Sequence, residues 1–268
     1  MKHFISLASF LWVSINLSFG LLCLLPVTIA SYLLPFPKTK RFFYARAENI
    51  YRAAVRANSF WMKSAVGIEL IVKGNAAVPE NSIIVCNHQS WFDIPIIQEV
   101  VSSNGPIVKF LVKRELLWVP VIGWICLALD MPSLGRSKTK DTKQQDLKEV
   151  RRVTRQQQSK PGALLVFPEG TRFSETKKQN LQSPFQKLLR PKAGGLATML
   201  AHSGPDVALV DITINYHKQG VSIWNCLHGD PEKITVVIEQ LRPPTKSEAG
   251  DWLAERWAIK DAELASGN

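Results

Sequence analysis

Residues 82–93 of this chain read SIIVCNHQSWFD. The first five form a short run rich in β-branched and apolar side chains, which is typical of a buried strand. A polar turn follows, and Ser90 with Asp93 three positions later has the spacing of a capping box at the start of a helix. Strand, loop and helix in this order predict one unit of an α/β sheet that is covered on both faces.

The same alternation continues on both sides of this unit. Strands are predicted at residues 69–74, 82–87, 107–112, 163–167, 207–216, 221–225 and 233–240, and helices at residues 91–101, 141–158, 195–202 and 248–264. Helices between apolar strands indicate a largely parallel sheet, whereas the last strands follow one another without a helix, which indicates a mixed sheet. We therefore expect an α/β fold with a mixed, largely parallel sheet flanked by helices, in one domain over residues 67–268.

Positive charge is concentrated in one part of the 268-residue chain. The net charge is +11, and residues 133–192 hold fifteen Lys and Arg against five Asp and Glu, a net +10. The partner is therefore expected to be anionic: nucleic acid, an anionic membrane surface or a phosphorylated substrate. Nucleic acid is disfavoured, because this window has only three aromatic residues for base stacking and no recognised nucleic-acid motif.

The spacing of the cysteines and histidines in the sequence does not indicate a metal site. Four cysteines are widely scattered without a C-x-x-C pair, which argues against a zinc ribbon, a redox dithiol or a disulfide scaffold. Apart from His88, the histidines also lack metal-ligand spacing; they are His3, His202, His217 and His228. We predict no metal and no tightly bound cofactor.

The N-terminal region, residues 1–66, is expected to consist of membrane-embedded and interfacial helices. Residues 4–37 hold no charged side chain; as one helix they would extend about 51 Å, against roughly 30 Å of bilayer hydrocarbon. Because Pro26 interrupts this segment, two interpretations fit: one tilted span with an interfacial extension, or a helical hairpin that enters and returns. A signal peptide fits less well, since the apolar stretch is too long and no A-x-A site ends it.

Residues 41–66 form the pattern of an amphipathic helix, with Arg and Lys on one side and aromatic and aliphatic residues on the other. Such a helix either lies among lipid headgroups or packs on the domain. Basic residues cluster between positions 38 and 46, whereas only Lys2 precedes the apolar segment, so the downstream region should be cytoplasmic. We expect an integral protein of the cytoplasmic (inner) membrane, with its domain facing the cytoplasm.

Two loops carry candidate chemistry. Asp93 lies in the first turn of a predicted helix, where it either caps the helix or orients one nitrogen of His88 and leaves the other as a base. Residues 167–172, FPEGTR, directly follow an apolar strand, and loops at the carboxyl ends of strands bind ligands in α/β sheets. There Gly170 permits close approach of the backbone, and Arg172 offers a planar fork for phosphate.

Three sequence motifs resemble those of a known protein family in their residues, order and spacing. They are H-x4-D at residues 88–93, K-x-E-L-x3-P-x2-G at residues 113–123 and F-P-E-G-T-R at residues 167–172. Together they resemble the glycerophospholipid acyltransferase family, and within it the lysophosphatidic acid acyltransferases (1-acylglycerol-3-phosphate O-acyltransferases). The resemblance covers about residues 67–240. A further family block, an apolar strand with Val-Pro, corresponds to residues 207–211, which lack the proline.

The resemblance implies a membrane-bound enzyme whose acyltransferase domain, residues 67–268, moves a fatty acyl chain from acyl-CoA or acyl-ACP to a lysophospholipid hydroxyl. Lysophosphatidic acid, giving phosphatidic acid, is the implied acceptor, and acyl carrier protein is one possible partner. His88 would be the general base and Asp93 would orient it. The residues implied to bind the acceptor and surround its phosphate are Lys113, Arg136, Glu169, Gly170, Thr171 and Arg172.

Other interpretations stay open at this point. The acceptor could be another lysophospholipid, such as lysophosphatidylglycerol or a lysocardiolipin-like lipid, or the chain could bind lipid at a membrane without turnover. Cys86 and His88 are two positions apart on one strand, so an acyl-enzyme on a Cys–His pair is conceivable. No third group orients that pair in the sequence, and a buried Cys is usually inert.

Overall fold

The computed structural model describes residues 1–34, 36–75, 77–135, 139–157 and 162–266. Its strands are β1 Glu69–Gly74, β2 Ser82–Cys86, β3 Val108–Phe110, β4 Val112–Lys113, β5 Ser133–Leu134, β6 Ala163–Val166, β7 Ala208–Asn215 and β8 Lys233–Leu241. Its helices are α1 Lys2–Leu33, α2 Pro37–Phe60, α3 Asp93–Ile97, α4 Ile122–Ala128, α5 Lys140–Gln157, α6 Glu175–Asn180, α7 Gly194–Leu200, α8 Ile223–Cys226 and α9 Ala249–Ser266. The predicted α/β class is confirmed.

The main sheet has six strands in the order β1-β8-β7-β2-β6-β3, and β4 and β5 form a small second sheet. All neighbouring strands are parallel except β7 and β8, so the sheet is mixed, as predicted. The central strand β2 is buried along its whole length, because helices cover both faces. The carboxyl ends of β2, β6 and β7 therefore meet at one edge, where the loops with the candidate residues begin.

The structure differs from the prediction at two of the expected strands. Residues 221–225 form no strand; Ser222 instead caps the short helix α8, and its hydroxyl accepts a hydrogen bond from the Asn225 N–H at 3.1 Å. A side chain that caps a helix offers the backbone an alternative to a strand. The run at residues 107–112 is interrupted at Leu111, after which the chain leaves the main sheet and pairs with β5.

The N-terminal helices form an antiparallel hairpin whose turn lies later than predicted. Helix α1 continues through Pro26, and α2 begins at Pro37, a first helical position that suits proline. The side-chain amide of Asn16 donates to the carbonyl of Ala54 and to the side chain of Asn58, both at 2.8 Å. The predicted break at Pro26 is wrong, because α1 continues through this residue.

Helix α2 packs on the domain, which was one of the two interpretations of its amphipathic pattern. Tyr51 and Val55 are buried, and Arg52 and Arg56 donate to the carbonyls of Gly105 and Ser103 at 2.8 and 3.0 Å. Within the described ranges, α1 is the one helix that is long and apolar enough to cross a membrane. Its outer face exposes a stripe of large apolar side chains, namely Phe4, Leu7, Leu11, Ile15, Phe19, Leu22 and Ile29.

The last helix, α9, is anchored to the sheet by both apolar and ionic contacts. Leu253 and Trp257 are buried against the face of the sheet that also carries α5 and α7. The buried ammonium of Lys260 lies 2.6 Å from the carboxylate of Asp211 on β7, and Arg256 lies 2.8 Å from the same carboxylate. The predicted helix over residues 248–264 is confirmed, and it brings its C-terminal turns towards the carboxyl ends of the strands.

Candidate active site

His88 and Asp93 form a hydrogen-bonded pair directly after β2. The Nδ1 atom of His88 lies 2.7 Å from Oδ2 of Asp93, and the side chain of His88 is 12% exposed whereas that of Asp93 is fully buried. The ring of His88 also stacks on Phe167, with 4.0 Å between ring centroids. The imidazole is thus fixed by a carboxylate at one nitrogen and by an aromatic face, and its Nε2 can act as a base.

The carboxylate of Asp93 is itself held by three further donors. Its Oδ2 accepts hydrogen bonds from the backbone N–H groups of Gln89 and Ser90 at 2.8 and 3.1 Å, so it also fixes the loop that precedes α3. Its Oδ1 accepts the hydroxyl of Tyr216 at 2.6 Å. Burial and the nearby Asp93 carboxylate raise the pKa of Tyr216 well above its ordinary value, so this hydroxyl stays a donor. The one side chain of Asp93 therefore contacts His88 and holds the loop before α3, whose N-cap position is Phe92.

Two residues that shape this site, Tyr216 and Asn87, were not assigned a role from the sequence. Tyr216 follows β7, more than a hundred residues from Asp93 along the chain, and only the parallel pairing of β2 with β7 brings them together. Asn87 is fully buried, and its side chain exchanges two hydrogen bonds with the backbone of Ile214, at 3.0 and 2.8 Å. Asn87 therefore closes the gap between the ends of β2 and β7, where the loop of His88 leaves the sheet.

Glu169 lies inside the protein and braces the site. Its two carboxylate oxygens accept hydrogen bonds from the backbone N–H groups of His88 and Leu189, at 2.9 and 3.0 Å, and it is 1% exposed. Burial raises the pKa of Glu169 to about 8, against the opposing effect of the two backbone donors. A direct contact with the substrate phosphate, as implied by the resemblance, does not suit this position, because the side chain is buried and both of its oxygens already accept backbone hydrogen bonds.

Arg172 lies beside the pair at the end of the 167–172 loop. Its guanidinium stacks over the ring of Trp91 at 4.5 Å from the centroid, which places a cation next to the helix that Asp93 begins. Gly170 has φ +70°, a conformation that glycine adopts without strain. The ammonium of Lys177 donates to the Thr171 hydroxyl at 2.8 Å. The loop therefore presents a cationic surface next to the His–Asp pair.

The motif at residues 113–123 spans the end of β4 and the start of α4. Lys113 lies on β4, where its exposed ammonium pairs with Glu115 at 3.2 Å. A Cβ at Gly123 would lie 2.1 Å from the carbonyl oxygen of Leu117, so the last glycine of this motif is needed for the close turn before α4. Arg136, the other cation implied by the resemblance, lies outside the described residues.

An apolar cavity of about 340 Å³ opens on the α3 side of the pair. It runs between the N-terminal hairpin, α3 and α4. Trp91 and Phe92, which lie between His88 and Asp93 in the chain, form part of its wall. Most of its other lining residues are apolar, and they include Val13, Leu17, Val55, Phe110, Leu116, Cys126 and Met131, whereas Ser9, Asn58, Ser59 and Gln98 are polar. Such a cavity suits a fatty acyl chain.

The rival Cys–His arrangement is not supported by the geometry. Cys86 is fully buried in the core under α3, and burial raises the pKa of its thiol well above the ordinary value. A nucleophilic cysteine requires the opposite, a lowered pKa and access. Among the described residues, no group of three or more His, Cys, Asp or Glu side chains could hold a metal ion.

Comparisons with known proteins identify the family of this chain. A family model described as Acyltransferase matches residues 69–215, more than half of the chain. The chain is 27% identical over 201 residues to 1-acyl-sn-glycerol-3-phosphate acyltransferase gamma from Homo sapiens, covering 68% of this chain and 52% of that protein. It is 26% identical over 227 residues to lysocardiolipin acyltransferase 1 from Mus musculus, covering 76% and 59%. The chain thus spans only about half the length of the first of these relatives.

A solved structure shows the same fold. The crystal structure of the 1-acyl-sn-glycerophosphate (LPA) acyltransferase PlsC from Thermotoga maritima matches with a TM-score of 0.60 at 20% identity, covering 98% of this chain and 97% of that one. The mixed sheet, the His–Asp pair and these matches define an acyltransferase fold with its motifs in place. The chain belongs to the glycerophospholipid acyltransferase family, and its relatives include 1-acyl-sn-glycerol-3-phosphate acyltransferases.

Proposed function

We propose that this protein is an O-acyltransferase that moves an acyl chain from an acyl thioester to the free hydroxyl of a lysophospholipid, and that lysophosphatidic acid is its acceptor. The observation that carries this proposal is the His88–Asp93 pair, with 2.7 Å between Nδ1 and Oδ2; Trp91, which follows His88 in the chain, lines the apolar cavity and contacts Arg172 of the cationic loop. A base, an acyl-chain cavity and an anion site are the three parts that such a reaction needs.

The reaction can proceed without a covalent enzyme intermediate, because a thioester is already activated. His88 Nε2 takes the proton of the acceptor hydroxyl as its oxygen attacks the thioester carbonyl. The tetrahedral oxyanion then collapses, the C–S bond breaks, and the imidazolium returns the proton to the leaving thiolate. Asp93 stabilises the imidazolium that exists between these two steps. The products are one ester and one free thiol, so protons and bonds balance.

The acceptor phosphate is assigned to Arg172, whose guanidinium can bind two phosphate oxygens at once. Two further cations lie close to this loop. Lys177 on α6 donates to the carbonyl of Arg172 at 2.9 Å, and the ammonium of the exposed Lys192 would lie 3.6 Å from a Cβ at Gly170. Glu169 takes a positioning role instead, because it holds the backbone of His88 and is buried.

We expect Arg172→Lys to raise the KM for lysolipid, because lysine keeps the charge but loses the planar fork. Arg172→Ala should raise it further, by about 10- to 150-fold, the effect of losing a charge-assisted contact. The KM for the acyl donor should change little. Lys178→Ala, which removes a cation that pairs with Glu175 on α6, is the matched control. A weaker donor KM with an unchanged lysolipid KM would assign this loop to the donor phosphate.

Substrate identity is tested with a panel of lysolipids. Purified protein is incubated with acyl-CoA or acyl-ACP and with lysophosphatidic acid, lysophosphatidylglycerol or a lysocardiolipin, and the lipid products are separated by mass. We expect phosphatidic acid as the main product. Preferred acylation of another lysolipid would keep the reaction class and replace the acceptor.

We also propose that the N-terminal hairpin holds the protein in a membrane. One face of α1 lies against the domain: the Ser6 hydroxyl donates to the carbonyl of Trp224 at 2.9 Å. The other face carries the apolar stripe described above, and Trp118 and Trp124 near α4 are also exposed. A helix with one face on the domain and the other in lipid would bring the acyl cavity to the bilayer, with the basic start of α2 at the cytoplasmic headgroups.

This placement predicts that the protein stays with membranes through carbonate or high-salt washing. Ile15→Glu, at the centre of the exposed stripe, should weaken that retention, because a charge cannot enter the hydrocarbon cheaply. Val72→Glu, on the exposed edge strand β1, is the control and should not. Release of the unchanged protein by salt alone would contradict the proposal, as would a tag on the domain that is accessible only from outside the cell.

A further inference from the structure

One irregular segment, residues 183–192, follows α6 and precedes α7. The structure describes all of its residues, and none of them lies in a helix or strand, so its backbone groups must find partners outside a regular ladder. Leu188 and Leu189 at its centre are fully buried, and the Ser183 hydroxyl donates to the carbonyl of Leu188 at 2.8 Å. This segment is therefore packed inside the protein although it has no regular secondary structure.

The 183–192 segment contacts the loop of His88 at two points. The carbonyl of Lys187 accepts a hydrogen bond from the side chain of Gln89 at 3.0 Å. The N–H of Leu189 donates to one oxygen of Glu169 at 3.0 Å, and the other oxygen of Glu169 accepts the N–H of His88 at 2.9 Å. The backbone of His88 and the side chain that follows it are therefore both held by this segment.

One carboxylate of α9 holds the segment in turn. Asp261 accepts the N–H groups of Gln186 and Lys187, one on each oxygen, at 2.7 and 2.6 Å. Hydrogen bonds to an ionised acceptor are shorter and stronger than those between neutral groups. An amide in this position could accept only one of the two N–H groups, because its N–H₂ group is itself a donor. A carboxylate is therefore the group that fits these two adjacent donors.

The part of α9 that carries Asp261 is fixed to the sheet. The preceding residue, Lys260, is fully buried; its ammonium lies 2.6 Å from the carboxylate of Asp211 and donates to the carbonyl of Ile212, also at 2.6 Å. Both partners lie on β7, which pairs with β2, the strand that leads into the loop of His88. The carboxylate of Asp261 thus has a defined position relative to this loop, as a support on a rigid element requires.

We propose that Asp261 is a positioning residue for His88 and acts through the 183–192 segment; this inference rests on the proposed function. The carboxylate fixes the backbone of the segment, and the segment holds Gln89 and, through Glu169, the N–H of His88. A general base must lie within hydrogen-bond reach of the proton that it takes, and a displacement of about 1 Å can cost about 100-fold in rate. Asp261 thereby affects the reaction rate through the backbone.

The first test is kinetic. Asp261→Asn keeps the size of the side chain and one of the two acceptors, so kcat should fall by about 3- to 10-fold, the effect of one hydrogen bond. Asp261→Ala removes both acceptors and should lower kcat by about 10- to 100-fold. The KM values for donor and lysolipid should change little. Glu263→Gln makes the same carboxylate-to-amide change at an exposed position of α9; it is the control and should keep full kcat.

Thermal unfolding of the same variants separates positioning from stability. A lower Tm together with an unchanged kcat in folded Asp261→Asn and Asp261→Ala would mean that the carboxylate only stabilises α9, and this would overturn the proposal. A raised KM for either substrate with an unchanged kcat would overturn it as well, because the effect would then lie on binding and not on the base.

The second test does not depend on turnover. Backbone hydrogen exchange is measured by mass spectrometry on the full chain in detergent, in peptides that cover residues 183–192, residues 86–94 and strand β8. In Asp261→Asn we expect faster exchange in the first two peptides and unchanged exchange in β8, because a loosened segment releases the N–H groups of Leu189 and His88. Glu263→Gln should change none of the three.

This measurement also separates the two proposals. The expected exchange pattern in a protein that acylates no lysolipid would support the link from Asp261 to His88, and only the proposed function would fail. Faster exchange confined to residues 183–192, in an enzyme that does transfer acyl chains, would show that the change does not reach the loop of His88 and would overturn the positioning role alone.

Discussion

Replacing His88 with alanine is expected to lower kcat by about 10²- to 10⁴-fold, the usual contribution of a general base. The imidazole of His88 is held by the carboxylate of Asp93 and by the ring of Phe167. Its removal leaves no base for the acceptor hydroxyl, while the backbone bonds that shape the loop remain. The effect should fall on kcat and on kcat/KM together, because the proton moves only as the transition state forms.

Cys86→Ala is the matched control for this variant. It alters a side chain two positions away that is fully buried and has a raised thiol pKa, so turnover should stay near that of the unchanged protein. Both proteins are compared by circular dichroism to show that they are folded. Near-normal turnover in His88→Ala would remove His88 from its assigned role. Loss of activity in Cys86→Ala, with a trapped acyl-enzyme in the unchanged protein, would favour the Cys–His mechanism.

Asp93→Asn is expected to lower kcat by about 10²- to 10⁴-fold as well, since the imidazolium formed during the reaction loses its counter-charge. The fold should tolerate this change. The amide oxygen can accept from the N–H groups of Gln89 and Ser90, and the amide N–H₂ can donate to the hydroxyl of Tyr216, which can reverse its role. The measurement is kcat with saturating donor and lysolipid.

Tyr216→Phe separates the charge of Asp93 from its hydrogen bonds. It removes one donor from the carboxylate and leaves the negative charge beside His88, so turnover should fall by about 3- to 10-fold only. If Asp93 only fixed the loop before α3, Asp93→Asn would reduce thermal stability and leave kcat of the folded protein unchanged. That result would contradict the orienting role.

The sequence was sufficient for the parts of the fold and site that depend on local pattern. The apolar run of residues 82–86, the alternation of strands and helices, and the spacing of His88 and Asp93 predicted the sheet, its mixed character and the neighbourhood of the pair. Helix α9 followed in the same way from its apolar face. Each of these features depends on which residues of a single strand or helix are buried. The buried positions appear in the sequence as a periodic pattern of apolar residues.

The remaining features depend on which elements meet in space. Tyr216 and Asn87 owe their positions to the pairing of β2 with β7. Pro26 stays inside a helix because α1 packs on α2, which outweighs a local preference to break. The role of Glu169 also could not be read from its motif, because it depends on the backbone N–H of Leu189, which reaches it from a later loop.

Acyl transfer by the His–Asp pair is tested by the ratio of thiol released to ester formed. Purified protein is given acyl-CoA and lysophosphatidic acid, free thiol is followed by its reaction with a thiol-reactive disulfide that gives a coloured product, and phosphatidic acid is quantified in the same samples. We expect one thiol for each phosphatidic acid, dependence of both on the lysolipid, and loss of both in His88→Ala. Thiol release without a lipid product, or phosphatidic acid formation that survives His88→Ala, would contradict acyl transfer by this His–Asp pair.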